Sequence, residues 1–279
     1  IMQVIRTAAD MRGVRRGLTG TVGLVATLGG VHRGHTAHLD TIRPHCDVMI
    51  GSLFLNPTQF GENEDLSTYP SHDASDLAEF EKHGADFVFA PSKDEIYPPG
   101  EVLAAVNPGP VANLLEGAHR ACHFEGVATV VARLFSIISP TKATFGEKDV
   151  QQLRVIQHVN ESLGFGIEII PIPTVREEDG LAISTRNAYL SLPERKAATI
   201  LFKALTVVKL SFDSGERSGE VLRFMLDSIL AGEPLAEVDY ASIADVDTFE
   251  ELDHVDHTAR ALLAVKIGNA RLIDNFLLA

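Results

Sequence analysis

The sequence predicts an α/β protein: a parallel sheet flanked by helices over the first two-thirds, then a smaller region of helices and hairpin strands. Three observations predict it. Short apolar, β-rich runs alternate with helix-period segments from Thr21 to Ile172. The run Asp47–Leu55 (DVMIGSLFL) is apolar on both faces, which suits a strand covered by helices on each side. Past Thr174–Arg176 the order changes to consecutive helices followed by closely spaced strands.

Each element has its own warrant. Thr21–Thr27 reads as a strand and His35–Arg43 as the opening turns of a helix. Asp47–Leu55 is the next strand. In Ser71–His83, Leu77 and Phe80 fall at helical spacing among acidic residues. Ala85–Ala90 is a strand stopped by Pro91. Thr129–Ser139 sets Val130, Val131, Leu134, Phe135 and Ile138 on one helix face before Pro140. Lys142–Phe145 is a short strand, and Val150–Leu163 a helix with Leu153, Ile156 and Val159 inward. Gly166–Ile172 is a strand before Pro173. Beyond it, Pro193–Ser211 and Ser218–Leu230 read as helices and Tyr240–Ala244 as a strand. Arg260–Ile267 and Arg271–Leu278 pair as a hairpin about Gly268-Asn269. The expected division is into residues 1–174 and 175–279.

Composition narrows the class. The 279 residues are 45% hydrophobic, enough to build packed cores. With 24 Lys and Arg against 38 Asp and Glu, the net charge of −14 argues against broad electrostatic capture of nucleic acid or an anionic membrane. No apolar run approaches the ~20 residues that cross a bilayer. The two cysteines, Cys46 and Cys122, show no disulfide or metal spacing and read as the reduced thiols of a cytoplasmic protein. Asp10, Arg12, Arg15 and Arg16 interrupt the apolar stretch that a signal peptide needs.

In an open parallel sheet, ligands gather at the carboxyl ends of strands near the switch in strand order. Thr27-Leu28-Gly29-Gly30-Val31-His32-Arg33-Gly34-His35 lies at such an end. Its glycines permit close backbone approach, a helix N-terminus favours anions, and an imidazole N–H steadies charge on a transferring phosphate. The segment points to nucleotidyl transfer. The plain alternatives are capping histidines or half a metal site, but no further ligand cluster follows at zinc spacing. Asn56 and Gln59 leave another strand; carboxamides donate and accept together, which suits a hydroxy acid, although Asn-Pro also starts turns. Gly146-Glu147-Lys148-Asp149 enters a helix with Lys148 as a compact cation for phosphate, or is a solvated charge cluster. Ile183-Ser184-Thr185-Arg186 offers two hydroxyls and a fork-shaped donor as a phosphate clamp, or is a polar linker.

With His123-Phe124-Glu125-Gly126-Val127-Ala128-Thr129-Val130-Val131, Thr174-Val175-Arg176-Glu177 and Asp179-Gly180-Leu181-Ala182, these segments resemble the pantothenate synthetase (pantoate–β-alanine ligase) family of the His-x-Gly-His nucleotidyltransferases. The resemblance runs from about Thr21 to Ser191, with a weaker echo at Leu272-Ile273-Asp274-Asn275. It implies a Rossmann-like N-terminal domain with a smaller α+β C-terminal lid domain, in a cytoplasmic homodimer. It also implies an ATP-dependent condensation of pantoate with β-alanine through pantoyl adenylate, giving pantothenate, AMP and pyrophosphate. By the resemblance, Leu28, Gly29, Gly30, Val31, His32, Arg33, Gly34 and His35 bind ATP, with His35 as proton donor and His32 on the phosphates. Gly146, Glu147, Lys148, Asp149, Val175, Ile183, Ser184, Thr185 and Arg186 complete the nucleotide set, and His32, His35, Lys148 and Arg186 the catalytic set. Gln59, Gln152 and Asn56 hold pantoate and β-alanine. Mg2+ accompanies ATP, with Asp76 as a candidate contact, and no resident metal is implied.

The sequence also departs from the family's usual motifs. Arg33 stands where an acidic residue is common, Leu28 where Met is, Thr185 where Ser is, Ser71 where Arg is and Val150 where Tyr is. Ala121-Cys122 replaces Pro-Gly. On sequence alone two other readings stay open: an adenylyltransferase of the same architecture acting on another acceptor, and a non-catalytic nucleotide-binding protein.

Overall fold

The computed structural model of the protein describes residues 2–62 and 64–279. Six parallel strands form one sheet: β1 (Gln3–Ile5), β2 (Val22–Thr27), β3 (Val48–Leu53), β4 (Phe87–Phe89), β5 (Lys142–Gly146) and β6 (Glu168–Ile172). Their order is β1-β4-β3-β2-β5-β6, with Thr27 beside Leu53 and Val25 beside Thr144. In chain order the helices up to this point are α1 (Ala8–Gly17), α2 (Arg33–Ile42), α3 (Asp73–Lys82), α4 (Lys93–Ile96), α5 (Glu116–His119), α6 (His123–Ile138) and α7 (Val150–Ser162).

Alternate residues along each strand feed alternate faces. Val22, Leu24, Ile50, Phe89 and Ala143 pack with Met11 of α1 and the apolar sides of α6 and α7. Val25, Met49, Leu53 and Val88 pack with Leu39 and Ile42 of α2 and Phe80 of α3. Both faces are therefore covered, which is why these strands lack polar alternation. Fully burying a side chain such as Phe80, 0% exposed, contributes about 1.5–3 kcal/mol.

The α/β class and the order of its main elements match expectation, but some details differ. Strand β1 and helix α1 lie outside the expected elements: β1 has three residues, and only Ala8 and Met11 of α1 are buried. Helix α6 begins at His123, earlier than the expected Thr129, because Phe124 and Val127 extend its buried stripe. The residue before it, Cys122, is left-handed at φ 62°, a conformation that glycine adopts without strain.

The chain divides into two compact units. The first holds the residues up to Ala112 with Arg120–Glu147 and Gln152–Pro173, and the second Asn113–His119, Lys148–Gln151 and Thr174–Ala279. In the second, β7 (Ala236–Asp245), β8 (Ala259–Ile267) and β9 (Ala270–Leu278) form an antiparallel sheet in that order, with helices α8 (Leu192–Ala197), α9 (Ile200–Asp213) and α10 (Gly219–Leu230). The hairpin about Gly268-Asn269 is as expected, with Gly268 at φ 58°. The single helix expected over 193–211 is two, broken where Thr199 turns its hydroxyl onto the Lys196 carbonyl at 2.8 Å. Leu272, Phe276 and Leu278 of β9 pack with α9 and α10, while Arg271 and Asn275 face the other side of the sheet.

Candidate functional site

From β2 the chain passes to β3 on one side, while β5 pairs with β2 on the other. The carboxyl ends of β2 and β5 thus flank the switch in strand order, where open α/β sheets place ligands. The loop after β2 is sharply built. Gly29 and Gly30 have φ of 103° and 65°, and a Cβ on Gly29 would lie 2.6 Å from the Ser71 Cβ. The carboxylate of Asp76 on α3, 3% exposed, accepts from the N–H groups of Gly30 (2.9 Å), Val31 (2.7 Å) and His72 (3.1 Å). The N–H groups expected to face a phosphate at Gly30 and Val31 are turned onto a protein carboxylate. Asp76 accordingly fits a loop anchor rather than a cation contact.

His32 caps α2. Its Nδ1 accepts from Gly34 N–H at 3.1 Å, and the Nδ1 of His35 accepts from His32 N–H at 3.4 Å. This is a capping box in which two imidazoles replace the usual Ser and Glu. The rings stack with centroids 4.0 Å apart and planes at 24°. An Nδ1 that accepts carries no hydrogen, so each neutral ring keeps its hydrogen on Nε2 as a donor. His38 meets the Thr144 hydroxyl at 3.1 Å, tying α2 to β5. Arg33 is exposed at the first position of α2, a cation at the positive end of a helix, and nothing in the structure explains it.

After β3 the carboxamides form a buried relay. Asn56, 0% exposed, donates Nδ2 to Gln59 Oε1 (3.0 Å) and to the Gly126 carbonyl (3.2 Å). Its Oδ1 accepts from the Thr58 hydroxyl (2.9 Å) and the Tyr97 hydroxyl (2.8 Å). Asn56 therefore has a supporting place, and the orientation it imposes leaves Gln59 Nε2 as the donor for a ligand. The backbone of Gln59 is held as well. His123 Nδ1 donates to the Gln59 carbonyl at 2.8 Å, so its Nε2 accepts, and Arg120 Nη1 supplies the hydrogen at 3.0 Å. Arg120 in turn grips Glu64 through two bonds of 2.7 Å. A Cβ on Gly126 would strike the Thr58 carbonyl oxygen and lie 2.8 Å from Gln59 N, so only glycine lets α6 sit against this turn.

Gln152 lies half-buried near the start of α7. The neighbouring Gln151 is spent within the second unit, accepting from Glu116 N–H at 3.2 Å and donating to the Leu114 carbonyl at 2.8 Å. Glu116 is 5% exposed, pairs with Arg271 at 2.8 Å and accepts from the Tyr240 hydroxyl at 2.9 Å. Burial, and then the Glu116 charge, push the Tyr240 phenol well above its ordinary pKa, so it stays a donor.

Of the remaining nucleotide candidates, Gly146 and Glu147 belong to the first unit, at the end of β5, and the others to the second. Ile183 N–H donates to the Val175 carbonyl at 2.9 Å and Glu177 N–H to the Leu181 carbonyl at 2.8 Å, closing a tight hairpin. Ser184 caps the turn Thr185–Tyr189 by accepting from Arg186 N–H at 3.3 Å. Arg176, at the hairpin base, forks onto Asp274. Lys148 follows β5 and lies 3.7 Å from Asp149, with its carbonyl accepting from Asn275 at 3.1 Å. Sequence reasoning missed the anchoring by Asp76 and the close approach at Gly126, and no local pattern signals either.

The family model for pantoate-beta-alanine ligase matches residues 3–277. A pantothenate synthetase of Roseiflexus sp. (strain RS-1) is 49% identical over 277 residues, 99% of each chain. One from Chloroflexus aurantiacus is 45% identical, covering 99% of this chain and 98% of its own. The crystal structure of pantothenate synthetase from Thermus thermophilus superposes with a TM-score of 0.93 at 41% identity, covering 99% of both chains. That of the Francisella tularensis ligase, complexed with β,γ-ATP and β-alanine, has a TM-score of 0.81 at 31% identity over 99% of this chain and 98% of its own.

Proposed function

Because the chain belongs to the pantoate–β-alanine ligase family, we propose that it joins pantoate to β-alanine in two steps driven by ATP. It is an ATP-dependent ligase, and ATP is a substrate. A free carboxylate is a poor acyl donor, so the pantoate carboxylate first attacks the α-phosphorus. The bond to pyrophosphate breaks and pantoyl adenylate forms. The amine of β-alanine then attacks the acyl carbon, the bond to AMP breaks, and the amine gives up a proton.

The observation that carries this reading is the reciprocal imidazole cap at the switch in strand order. Charge gathers on the α-phosphate oxygens during the first step. The two rings, fixed by stacking and by their Nδ1 bonds, carry their hydrogens on Nε2, the kind of donor that steadies such charge. His35 serves as proton donor, with His32 on the phosphates. Lys148 and Arg186, with the hydroxyls of Ser184 and Thr185, balance the triphosphate charge. Gly146, Glu147, Asp149, Val175 and Ile183 line the nucleotide. Gln59, oriented by Asn56, and Gln152 hold pantoate; Gln59 then turns its amide to β-alanine.

Magnesium comes with ATP and spreads the charge of the triphosphate. Asp76 already accepts from N–H groups as a loop anchor, and in this reading the ion rides on the phosphates of ATP. No helix among the described residues is long and apolar enough to cross a membrane. A homodimer working in the cytoplasm completes the proposal and rests on family likeness alone; the mass in solution tests the dimer. For the chemistry, the enzyme is given pantoate and Mg-ATP. Pyrophosphate is expected before β-alanine is added, and AMP after it. Absence of AMP with all substrates present would overturn the reading.

A further inference from the structure

Strand β9 carries two consecutive buried polar residues, Asp274 (3% exposed) and Asn275 (5%), in the middle of a strand that otherwise feeds a core. Polar groups so placed are costly unless each is bonded. Successive strand residues face opposite sides of the sheet, and these two grip different segments. On one face Asp274 takes Arg176 in a fork, with contacts of 2.6 and 2.8 Å. The guanidinium lies 5.1 Å from the Phe202 ring centroid and 5.0 Å from that of Phe276, and also holds the Gly180 carbonyl at 3.0 Å. Arg176 is thereby fixed at the base of the hairpin that leads to Ser184, Thr185 and Arg186.

On the other face Asn275 donates Nδ2 to the Lys148 carbonyl at 3.1 Å. Its orientation is set, because Oδ1 accepts from Arg260 at 2.6 Å and its own N–H meets Asp274 Oδ1 at 2.8 Å. One dipeptide therefore fastens two segments far apart in sequence, and both carry cations for the triphosphate in the reading above.

We infer that Asp274 and Asn275 are positioning residues for adenylation, Asn275 setting the backbone of Lys148 and Asp274 the Val175–Arg186 hairpin. Neither touches substrate. Each acts through a neighbour. A pair kept only for packing would be served as well by apolar residues of similar volume. The inference rests on the assignment of Lys148 and Arg186 to the triphosphate.

The test is a double-mutant cycle on pantoate-dependent pyrophosphate release. Asn275→Asp keeps the acceptor for Arg260 but puts an oxygen, in place of the donor, against the Lys148 carbonyl. We expect kcat/KM for ATP to fall about tenfold or more, with the KM for β-alanine little changed. Added to Lys148→Ala, it should cause no further loss. Asp274→Asn, cycled against Arg186→Ala, should behave likewise. If Asn275→Asp fails to fold, Asn275→Ala enters the same cycle, since it removes the donor without adding repulsion. Losses that multiply in the double variants, or a lowered melting temperature with unchanged ATP kinetics, would overturn the inference. A Lys148→Ala variant with normal ATP kinetics would instead refute the role given to Lys148.

Discussion

Replacing Asp76 with asparagine tests the architecture of the loop after β2, to which the proposed function assigns ATP. The carboxylate accepts from three backbone N–H groups, those of Gly30 and His72 on one oxygen and that of Val31 on the other. Asparagine can keep its oxygen over Gly30 and His72. Its NH2 then confronts the Val31 N–H, so one charge-assisted bond is lost and two donors face each other. A bond of that kind is worth about 1.5–3 kcal/mol, and the buried N–H left unmet adds to the loss. The site has little room to relax, because Asp76 is 3% exposed and Gly29 already abuts Ser71. If about 2.7 kcal/mol of this reaches the loop, kcat/KM for ATP falls roughly hundredfold. Pyrophosphate release at varied ATP measures it, with the KM for β-alanine as an internal control that should hold. A variant with wild-type ATP kinetics and only a lowered melting temperature would refute the reasoning, since Asp76 would then support the fold without shaping the loop.

Gly126→Ala drives a methyl into the Thr58 carbonyl, backbone against backbone, and should destabilise the protein by about 1–3 kcal/mol while raising the KM for pantoate through displaced Gln59; thermal melts and pantoate saturation check both. Cys122→Gly should relieve the left-handed strain at φ 62° and, net of its greater unfolded-state freedom, stabilise by about 0.5–1 kcal/mol, raising Tm by roughly 1–3 °C; a lower Tm would count against the strain. Asp245 supplies a pH test. Burial raises its pKa, but the N–H groups of Thr248 and Asp247 and the ring of His257 outweigh that and bring it from 3.8 to about 2. A depressed carboxyl stabilises fully above its unfolded value and loses that stabilisation as pH falls through its folded one. That stabilisation should therefore disappear between about pH 4 and 2, and Asp245→Asn should remove that part of the Tm–pH slope. Parallel profiles for the two proteins would reject it.

Local pattern revealed much of this molecule. Apolar runs such as Asp47–Leu55 mark strands covered on both faces, and Gly29-Gly30 before His32-Arg33-Gly34-His35 marks a strand end opening into a helix. What stayed hidden depends on contacts distant in sequence. Asp76 looks like any acid on an amphipathic helix until α3 brings it under Gly30 and Val31. Gly126 reads as a weak helix position until α6 meets Thr58. Asn56 pointed to substrate because carboxamides suit a hydroxy acid, yet its amide is spent on Gln59, Gly126, Thr58 and Tyr97. Asp274-Asn275 stood out only as a faint echo, since the partners Arg176 and Lys148 lie in other parts of the chain.

The central claim is that a carboxylate oxygen attacks the α-phosphorus beside the His32–His35 pair. Pantoate labelled with 18O in its carboxylate tests this directly. After one turnover with ATP and β-alanine, mass spectrometry should find one labelled oxygen in AMP and none in pyrophosphate, because the bridging oxygen leaves with the nucleotide. Label in pyrophosphate, or unlabelled AMP beside newly formed pantothenate, would contradict the account.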